Sequence, residues 1–223
     1  MSWARGRQKM TTTTRSQPLT PVTLAGAIVR LEPMSAGHVN VLAEIGAAPE
    51  LWRFTMTRIT GRDDAETYVG AALQGAAQGT ALPFVTILQS ENRVIGSTRF
   101  ANYDRDSRRV EIGWTWITPS LQRSGANVEA KLLMLTHAFE QLACNRVEFK
   151  TDVLNEKSRN ALLGIGAHEE GVLREHTFIW DGRKRDTIYY SILATEWPAV
   201  KHRLEQRLVS PRSARSDLTT PAH

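Results

Sequence analysis

Between Arg109 and Asp152 the hydrophobic period of the chain changes twice, and no other feature restricts the fold as much. Arg109 to Ile117 alternates as a strand does, with Val110, Ile112 and Trp114 on one side and Glu111, Gly113 and Thr115 on the other. Pro119 to Gly125 is a loop, and Val128 to Leu142 follows with Leu132, Leu135, Phe139 and Leu142 at helical spacing. Arg146 to Asp152 alternates again. A strand, a helix and a second strand in this order cannot close as a tight hairpin. The two strands are therefore expected side by side and parallel, joined by a right-handed crossover.

The flanking segments set that unit in a larger sheet. Ala27 to Leu31 reads as a strand, and Pro33 with Ser35 gives a stop and a helix start leading to about Ile45. Asp63 and Asp64 cap a second helix through about Gln78, with Ala65, Tyr68, Val69, Ala72 and Leu73 at helical spacing. Phe84 to Leu88 and Val94 to Phe100 flank the polar turn Gln89 to Arg93 as a hairpin, with Arg109 to Ile117 as a third antiparallel strand. Beyond the crossover, Glu156 to Ile165 is helical, and Val172 to Trp180 with Asp186 to Leu193 forms a closing hairpin about Asp181-Gly182. The expected architecture is α/β, a mixed and mostly antiparallel sheet.

Composition limits the function classes. Hydrophobic residues at 41% and charged residues at 23% suit a globular chain that buries a core. The formal net charge of +5 raises a nucleic-acid reading, but the surplus lies in the tails. Residues 1–21 hold Arg5, Arg7, Lys9 and Arg15 without an acid, and residues 209–223 hold Arg212 and Arg215 against Asp217. Both tails are expected to be disordered, leaving 22–208 as one uncharged domain with no broad nucleic-acid face. The lone Cys144 cannot form an internal disulfide and fits a reducing cytoplasm. No membrane span and no secretion signal are expected, because no apolar run approaches ~18–20 residues and the amino-terminal stretch is polar.

The segment with most chemical content is Ile117 to Asn127. A small-residue loop opening into a helix points several backbone N–H groups and the positive end of the helix dipole at one spot, which suits a pyrophosphate. It lacks the lysine and spacing of a P-loop and the G-x-G-x-x-G of a dinucleotide fold. Alone, Gln122-x-x-Gly125 is weak, since any strand-to-helix turn can carry a glycine.

Its surroundings strengthen it. Val110-Glu111-Ile112-Gly113-Trp114, the run Ser124 to Leu135, the run Arg146 to Ser158, Gly166-Ala167, Glu170 to Arg174 and Asp181 to Asp186 together resemble the GNAT-superfamily N-acetyltransferases of the RimJ/RimL-like branch over roughly residues 27–200. The resemblance implies a splayed sheet with helices on both faces. It also implies an acetyl-CoA co-substrate and transfer of an acetyl group to a primary amine, either a protein N-terminus or a small amine. The family's Gln/Arg-x-x-Gly-x-Gly/Ala loop is matched at Gln122 and Gly125, with Asn127 in its last position. By the same resemblance Arg123, Ser124 and Ala126 complete the pyrophosphate cradle, and Trp116, Ile117 and Thr118 border a pantetheine slot. Asn155 contacts the pantetheine with Lys157 beside it, Glu111 removes the ammonium proton, and Ser158 protonates the leaving thiolate. Many family members place a tyrosine acid where this chain has Leu162.

Plainer readings stand beside these. Glu111 is alternatively a structural carboxylate paired with Arg99, Arg108 or Arg109, and Ser158 an ordinary residue of a helix's first turn. His137 reads as a helix-surface or core residue. His168 and His176 lack metal-ligand spacing, so no metal is expected. Trp52, Trp114, Trp116 and Trp180 read as core or pocket wall, with Trp52 beside Phe54 a candidate for the acceptor pocket. A non-catalytic acyl-CoA-binding module is the alternative function, and the closing hairpin offers an edge strand for a homodimer.

Overall fold

The computed structural model describes residues 17–209. Its strands are β1 (Leu24–Ala25), β2 (Val29–Pro33), β3 (Leu82–Leu88), β4 (Arg93–Asp104), β5 (Arg109–Ile117), β6 (Arg146–Asp152), β7 (His168–Phe178) and β8 (Lys184–Leu193). They form one sheet in the order β1-β2-β3-β4-β5-β6-β8-β7. Every neighbouring pair is antiparallel except β5 and β6, the two strands that flank the crossover. The mixed sheet read from the sequence is the one observed.

Helices cover both faces. On one, α1 (Val39–Ile45) and α2 (Arg62–Ala77) bury Leu42, Tyr68, Val69 and Ala72 against Val85, Ile87 and Trp116. On the other, α3 (Ala126–Thr136), α4 (Glu156–Ile165) and α5 (Trp197–Val209) bury Met134, Leu162 and Leu204 against Phe84, Phe100, Val147 and Ile188. All seven residues of β3 are buried, because a strand covered on both sides reads as a continuous apolar run.

Four expectations change. The first strand begins at Val29, because Gly26 to Ile28 turn the chain back onto β1, a two-residue strand the sequence reading missed. The first helix starts as a 3-10 turn at Ala36–His38. The crossover helix starts at Ala126 and ends in a π-turn over His137–Gln141, closed by the Leu142 amide on the His137 carbonyl at 2.9 Å. Its buried apolar residues are Ala126, Ala130, Met134, Leu135, Ala138 and Leu142, so Leu135 and Leu142 are core as expected whereas Leu132 and Phe139 are only half-buried. Small residues let this helix approach the sheet closely.

The tail boundaries shift as well. Gln17 donates to the Leu142 carbonyl at 3.3 Å and Leu19 packs on the core, while Val209 closes α5, a helix the sequence reading did not mark. The rest of the predicted tails, residues 1–16 and 210–223, lies outside the described residues. No described helix is long and apolar enough to cross a membrane.

Candidate active site

The parallel pair β5 and β6 is joined for only three residues, Arg109, Val110 and Glu111 opposite Arg146, Val147 and Glu148. Beyond Glu111 the strands part: β6 stays with β8 through Asp152, and β5 stays with β4 to Ile117. The physical cause sits at Trp114, whose backbone is left-handed at φ 50. Ser97 pairs with Trp116 but Arg99 pairs with Gly113, so β5 carries an extra residue, a β-bulge. Ile112 packs with the α3-side core and Thr115 bonds to Lys131 of α3, three positions on instead of two. A bulge that bends β5 leaves the facing edges of β5 and β6 with unpaired peptide groups along a cleft.

At the far end of β5 a 3-10 turn, Pro119–Leu121, leads into the loop that starts α3. Arg123 and Gly125 both adopt left-handed backbone, at φ 70 and φ 92. Within the loop the amides of Gln122, Ser124 and Ala126 bond to Pro119 O, Leu121 O and Ser124 Oγ. The first intrahelical bond is Glu129 N to Gly125 O, so the amides of Asn127 and Val128 are first-turn donors of α3 with no hydrogen bond among the described residues. No hydrogen bond of the Gly125 amide is found among the described residues. Three amides are thereby left open at the start of an eleven-residue helix, which fits a diphosphate. The Asn127 side-chain oxygen is buried there without a partner.

The remaining expected donor-side residues gather around this loop. Gln122 Nε2 donates to Ile117 O at 3.1 Å, and Lys157 Nζ donates to Gln122 Oε1, tying the loop to α4. Asn155 caps α4, its Oδ1 accepting from Ser158 N at 3.1 Å, and no hydrogen bond of its side-chain N–H groups is found among the described residues. Ser158 is half-buried. Trp116 and Ile117 have buried side chains, which leaves their backbone as the part able to meet a ligand. Thr118 is buried, its hydroxyl without a partner.

Glu111 stands where the strands part, on the face opposite Val110 and Ile112, and is 5% exposed. Arg99, Arg108 and Arg109 are not its partners. Its Oε2 accepts from Lys150 Nζ and from Asn102 Nδ2, each at 2.7 Å. Burial alone lowers Lys150, but the hydrogen bond and charge of Glu111 outweigh it and hold that ammonium above its usual range. Oε1 carries no such bond, and a Cβ on Gly113 would lie 3.1 Å from it. The missing side chain of Gly113 keeps that oxygen uncovered. Buried Arg185 feels the charges of Glu111 and Asp152, but desolvation dominates and lowers it.

A cavity of about 350 Å³ opens on the α2 side of the sheet, with Tyr68, Arg99, Trp180 and Trp114, the residue after Gly113, in its walls. Trp180 donates to Trp52 O at 2.7 Å, whereas Trp52 itself is 2% exposed, packed edge-on to Trp116 at 5.3 Å. Trp52 is thus core, and the cavity wall is Trp180. His137 is half-buried against Phe100, and burial lowers its pKa. Among the described residues no cluster of three metal-type ligands occurs.

The sequence reading missed two buried ions. Glu129 of α3 accepts from the amides of Ala27, Ile28 and Val29 at 2.6–2.8 Å, pinning the first β-turn to the start of α3. Lys131 lies under the cleft, hydrogen-bonded to Thr115 Oγ1 at 2.8 Å and 5.9 Å from the Phe149 ring; desolvation lowers it to about 7. Charged letters inside a helical pattern signal a solvated face, so only their spacing against Ala126 and Ala130 hinted at burial.

This arrangement has relatives. Residues 29–168 match the family model described as an acetyltransferase (GNAT) domain. A Bacillus subtilis protein named "Putative ribosomal N-acetyltransferase YdaF" is 36% identical over 111 residues, 50% of this chain and 60% of that protein. A second, the uncharacterized N-acetyltransferase YoaA of the same organism, is 33% identical over 100 residues, 45% of this chain and 55% of that protein. The chain therefore aligns with less than two thirds of either. The crystal structure of a GCN5-related N-acetyltransferase from Brucella melitensis superposes with a TM-score of 0.82 at 27% identity, over 90% of each chain. RimJ of Mycobacterium smegmatis, in complex with CoA-disulfide, shares the fold at a TM-score of 0.71 and 24% identity, over 86% of this chain and 95% of that one. A family model matched over more than half of its length places this chain in the GNAT acetyltransferase family.

Proposed function

We propose that this protein is an acetyl-CoA-dependent N-acetyltransferase that acts on a primary amine, either a protein N-terminus or a small amine. The observation that carries the reading is the parting of β5 from β6 directly after Glu111, with unpaired amides at the α3 start beyond it. Acetyl-CoA supplies the activated acetyl group. The amides of Gly125, Asn127 and Val128 bind its pyrophosphate, with Gln122, Arg123, Ser124 and Ala126 shaping the loop. The freed peptide groups of β5 up to Trp116, Ile117 and Thr118 bind the pantetheine, with Asn155 and Lys157 on the α4 side. An amine is protonated near neutral pH and not nucleophilic, so a base is needed. Glu111 Oε1 takes that proton while Lys150 and Asn102 hold Oε2. The nitrogen bonds to the acetyl carbon, the carbon–sulfur bond breaks, and Ser158 or solvent protonates the thiolate. Orientation of the two reactants supplies much of the rate, up to ~7–11 kcal/mol.

The name of the YdaF relative supports a ribosomal-protein acceptor, and the buried thiol of Cys144, pushed up to about 12 by its apolar surroundings, suits a reducing cytoplasm. Calorimetric titration with acetyl-CoA tests the cleft, and thiol release with a panel of peptides and amines tests the chemistry. Absence of acetyl-CoA binding would end this reading. The engagement of Glu111 by Lys150 favours one other, a non-catalytic acyl-CoA-binding module. Glu111→Gln separates the two: the enzyme reading expects kcat to fall ~10²–10⁴-fold with acetyl-CoA affinity kept, and the binding-module reading expects no turnover in either protein.

A further inference from the structure

Arg99 is the one guanidinium in the acceptor-side cavity that is itself part of the sheet, and its environment is incomplete. It is 6% exposed, yet Nε and Nη2 are wholly covered without a hydrogen-bond partner. No carboxylate lies within salt-bridge distance among the described residues. Its contacts are two aromatic rings, Tyr68 at 4.9 Å and Trp114 at 4.8 Å. Buried charges in proteins are normally paired and hydrogen-bonded, and cation–π contacts to ring faces leave the N–H edges of a guanidinium unused. Such an edge matches the two oxygens of a carboxylate, which reach it when the guanidinium turns off the rings into the cavity that Arg99 lines.

The clamp is held in place from several sides. Tyr68 OH contacts Ser97 Oγ at 3.1 Å, Trp114 O at 3.3 Å and Trp116 Nε1 at 3.3 Å, which fixes the ring on which Arg99 lies. The cavity wall has one further cation, Arg58, stacked on Trp180 at 4.1 Å. It has one acid, Asp64, whose carboxylate is already committed to the hydroxyl and amide of Thr60. Two cations against one satisfied anion leave the cavity positive. Across the strands Arg99 faces Gly113, the residue whose missing side chain uncovers Glu111 Oε1.

We infer that Arg99 recognises a carboxylate on the acceptor, so that the preferred substrate is a primary amine carrying an acid group rather than a neutral or polycationic amine. The inference rests on the acetyl-transfer reading and names the substrate class of that same site. Arg99 holds the acid while the amine faces Glu111. The acid has two sources, the terminal carboxylate of a short amino acid or dipeptide, or an acidic side chain near the N-terminus of a longer chain.

The test compares matched acceptors. One arm uses Ala-Ala dipeptide and its C-terminal amide. The other uses C-terminally amidated pentapeptides with Glu or Gln in second place. Binding is read without acetyl-CoA, from quenching of tryptophan fluorescence, and turnover from thiol release. The acid is expected to bind at least tenfold more tightly than its neutral counterpart in one arm, which identifies the source, with the same ratio in kcat/KM. In Arg99→Gln the ratio falls below twofold, and Arg99→Lys, which keeps charge without the fork, lies between. Equal binding of acid and neutral forms in both arms, or a ratio unchanged in a folded Arg99→Gln, overturns the inference. The wild-type ratio decides the matter if the variant does not fold. Acetyl-CoA calorimetry is run in parallel: its failure removes the acetyl-transfer reading, whereas acceptors bound without acid preference remove only the role of Arg99.

Discussion

Lys131 and Arg99 are both buried cations without a carboxylate partner among the described residues, one on each face of the sheet beside the same bulge. Lys131, under the cleft on the α3 side, has one hydrogen bond to Thr115 and a pKa lowered to about 7 by desolvation. It relieves the penalty of burial by releasing its proton. A guanidinium has no such exit. The α2 face therefore buries its cation against aromatic rings, and the α3 face buries one that desolvation discharges. The difference teaches that the two faces tolerate burial of charge by different means.

The bulge joins both regions, so disturbing it has the largest expected effect. A Cβ on Gly96 would lie 2.0 Å from the Trp116 carbonyl oxygen and 2.9 Å from the Ile117 Cα, both backbone atoms that cannot turn aside. Gly96→Ala therefore pushes β4 off β5, and the expected loss is at least ~3 kcal/mol, in the range of severe overpacking. Acetyl-CoA and acceptor binding should fall together. If either survives intact, the two regions are mechanically independent.

Lys131→Met sharpens the contrast of the two cations. Below pH 7 folded and unfolded chains both hold the lysine proton; between about 7 and the ordinary 10.5 only the unfolded chain does. Stability of the wild type therefore rises with pH across that window, by up to ~1.4 kcal/mol per unit. The variant should be the more stable protein at pH 6, should lack this slope, and should lose its advantage towards pH 10. Denaturant titrations at four pH values measure it. A wild-type slope preserved in the variant would mean that Lys131 is not the group responsible.

The local structure of the proposed donor region was legible because its residues are contiguous. Trp116 to Asn127 and Asn155 to Ser158 each fall in one short window, and a strand, a turn and a capped helix start follow from local residue chemistry. The acceptor region was not, since Tyr68, Arg99, Trp114 and Trp180 meet only when α2, β4, β5 and the β7–β8 turn are assembled. Trp114 is a further obstacle: a bulky aromatic is a poor candidate for left-handed backbone, so nothing in the pattern marks the bulge that parts the strands. The burial of Lys131 and Glu129 was not legible, because the alanines beside them carry little hydrophobic signal next to Leu132 and Phe139. Helix α5 was overlooked although Trp197, Val200 and Leu204 have helical spacing.

Gly125→Ala probes the donor side alone. Its φ of 92 is a strained choice for alanine, and the added methyl would meet Ile28 Cδ1 at 3.2 Å. A destabilisation of ~1–2 kcal/mol is expected, seen as a melting point lower by ~3–6 °C, together with weaker acetyl-CoA binding. Acceptor quenching should be unchanged, because Gly125 starts α3 on one face of the sheet and the cavity lies on the α2 face.

Trp180→Ala is the counterpart on the acceptor side and the smallest effect. The indole is 41% exposed, so little core packing is lost with it. What goes is the hydrogen bond to Trp52 O at 2.7 Å and the stack under Arg58 at 4.1 Å. Each contributes about 0.5–1 kcal/mol in a half-exposed setting. The melting point should move by no more than ~6 °C, and acetyl-CoA affinity should not move at all. Acceptor KM should rise several-fold with kcat nearly kept, since an indole that only walls the cavity binds ground and transition states alike. A fall in kcat at unchanged KM would instead place Trp180 against the reacting amine, and the division of the site into a donor end and an acceptor end would have to be redrawn around it.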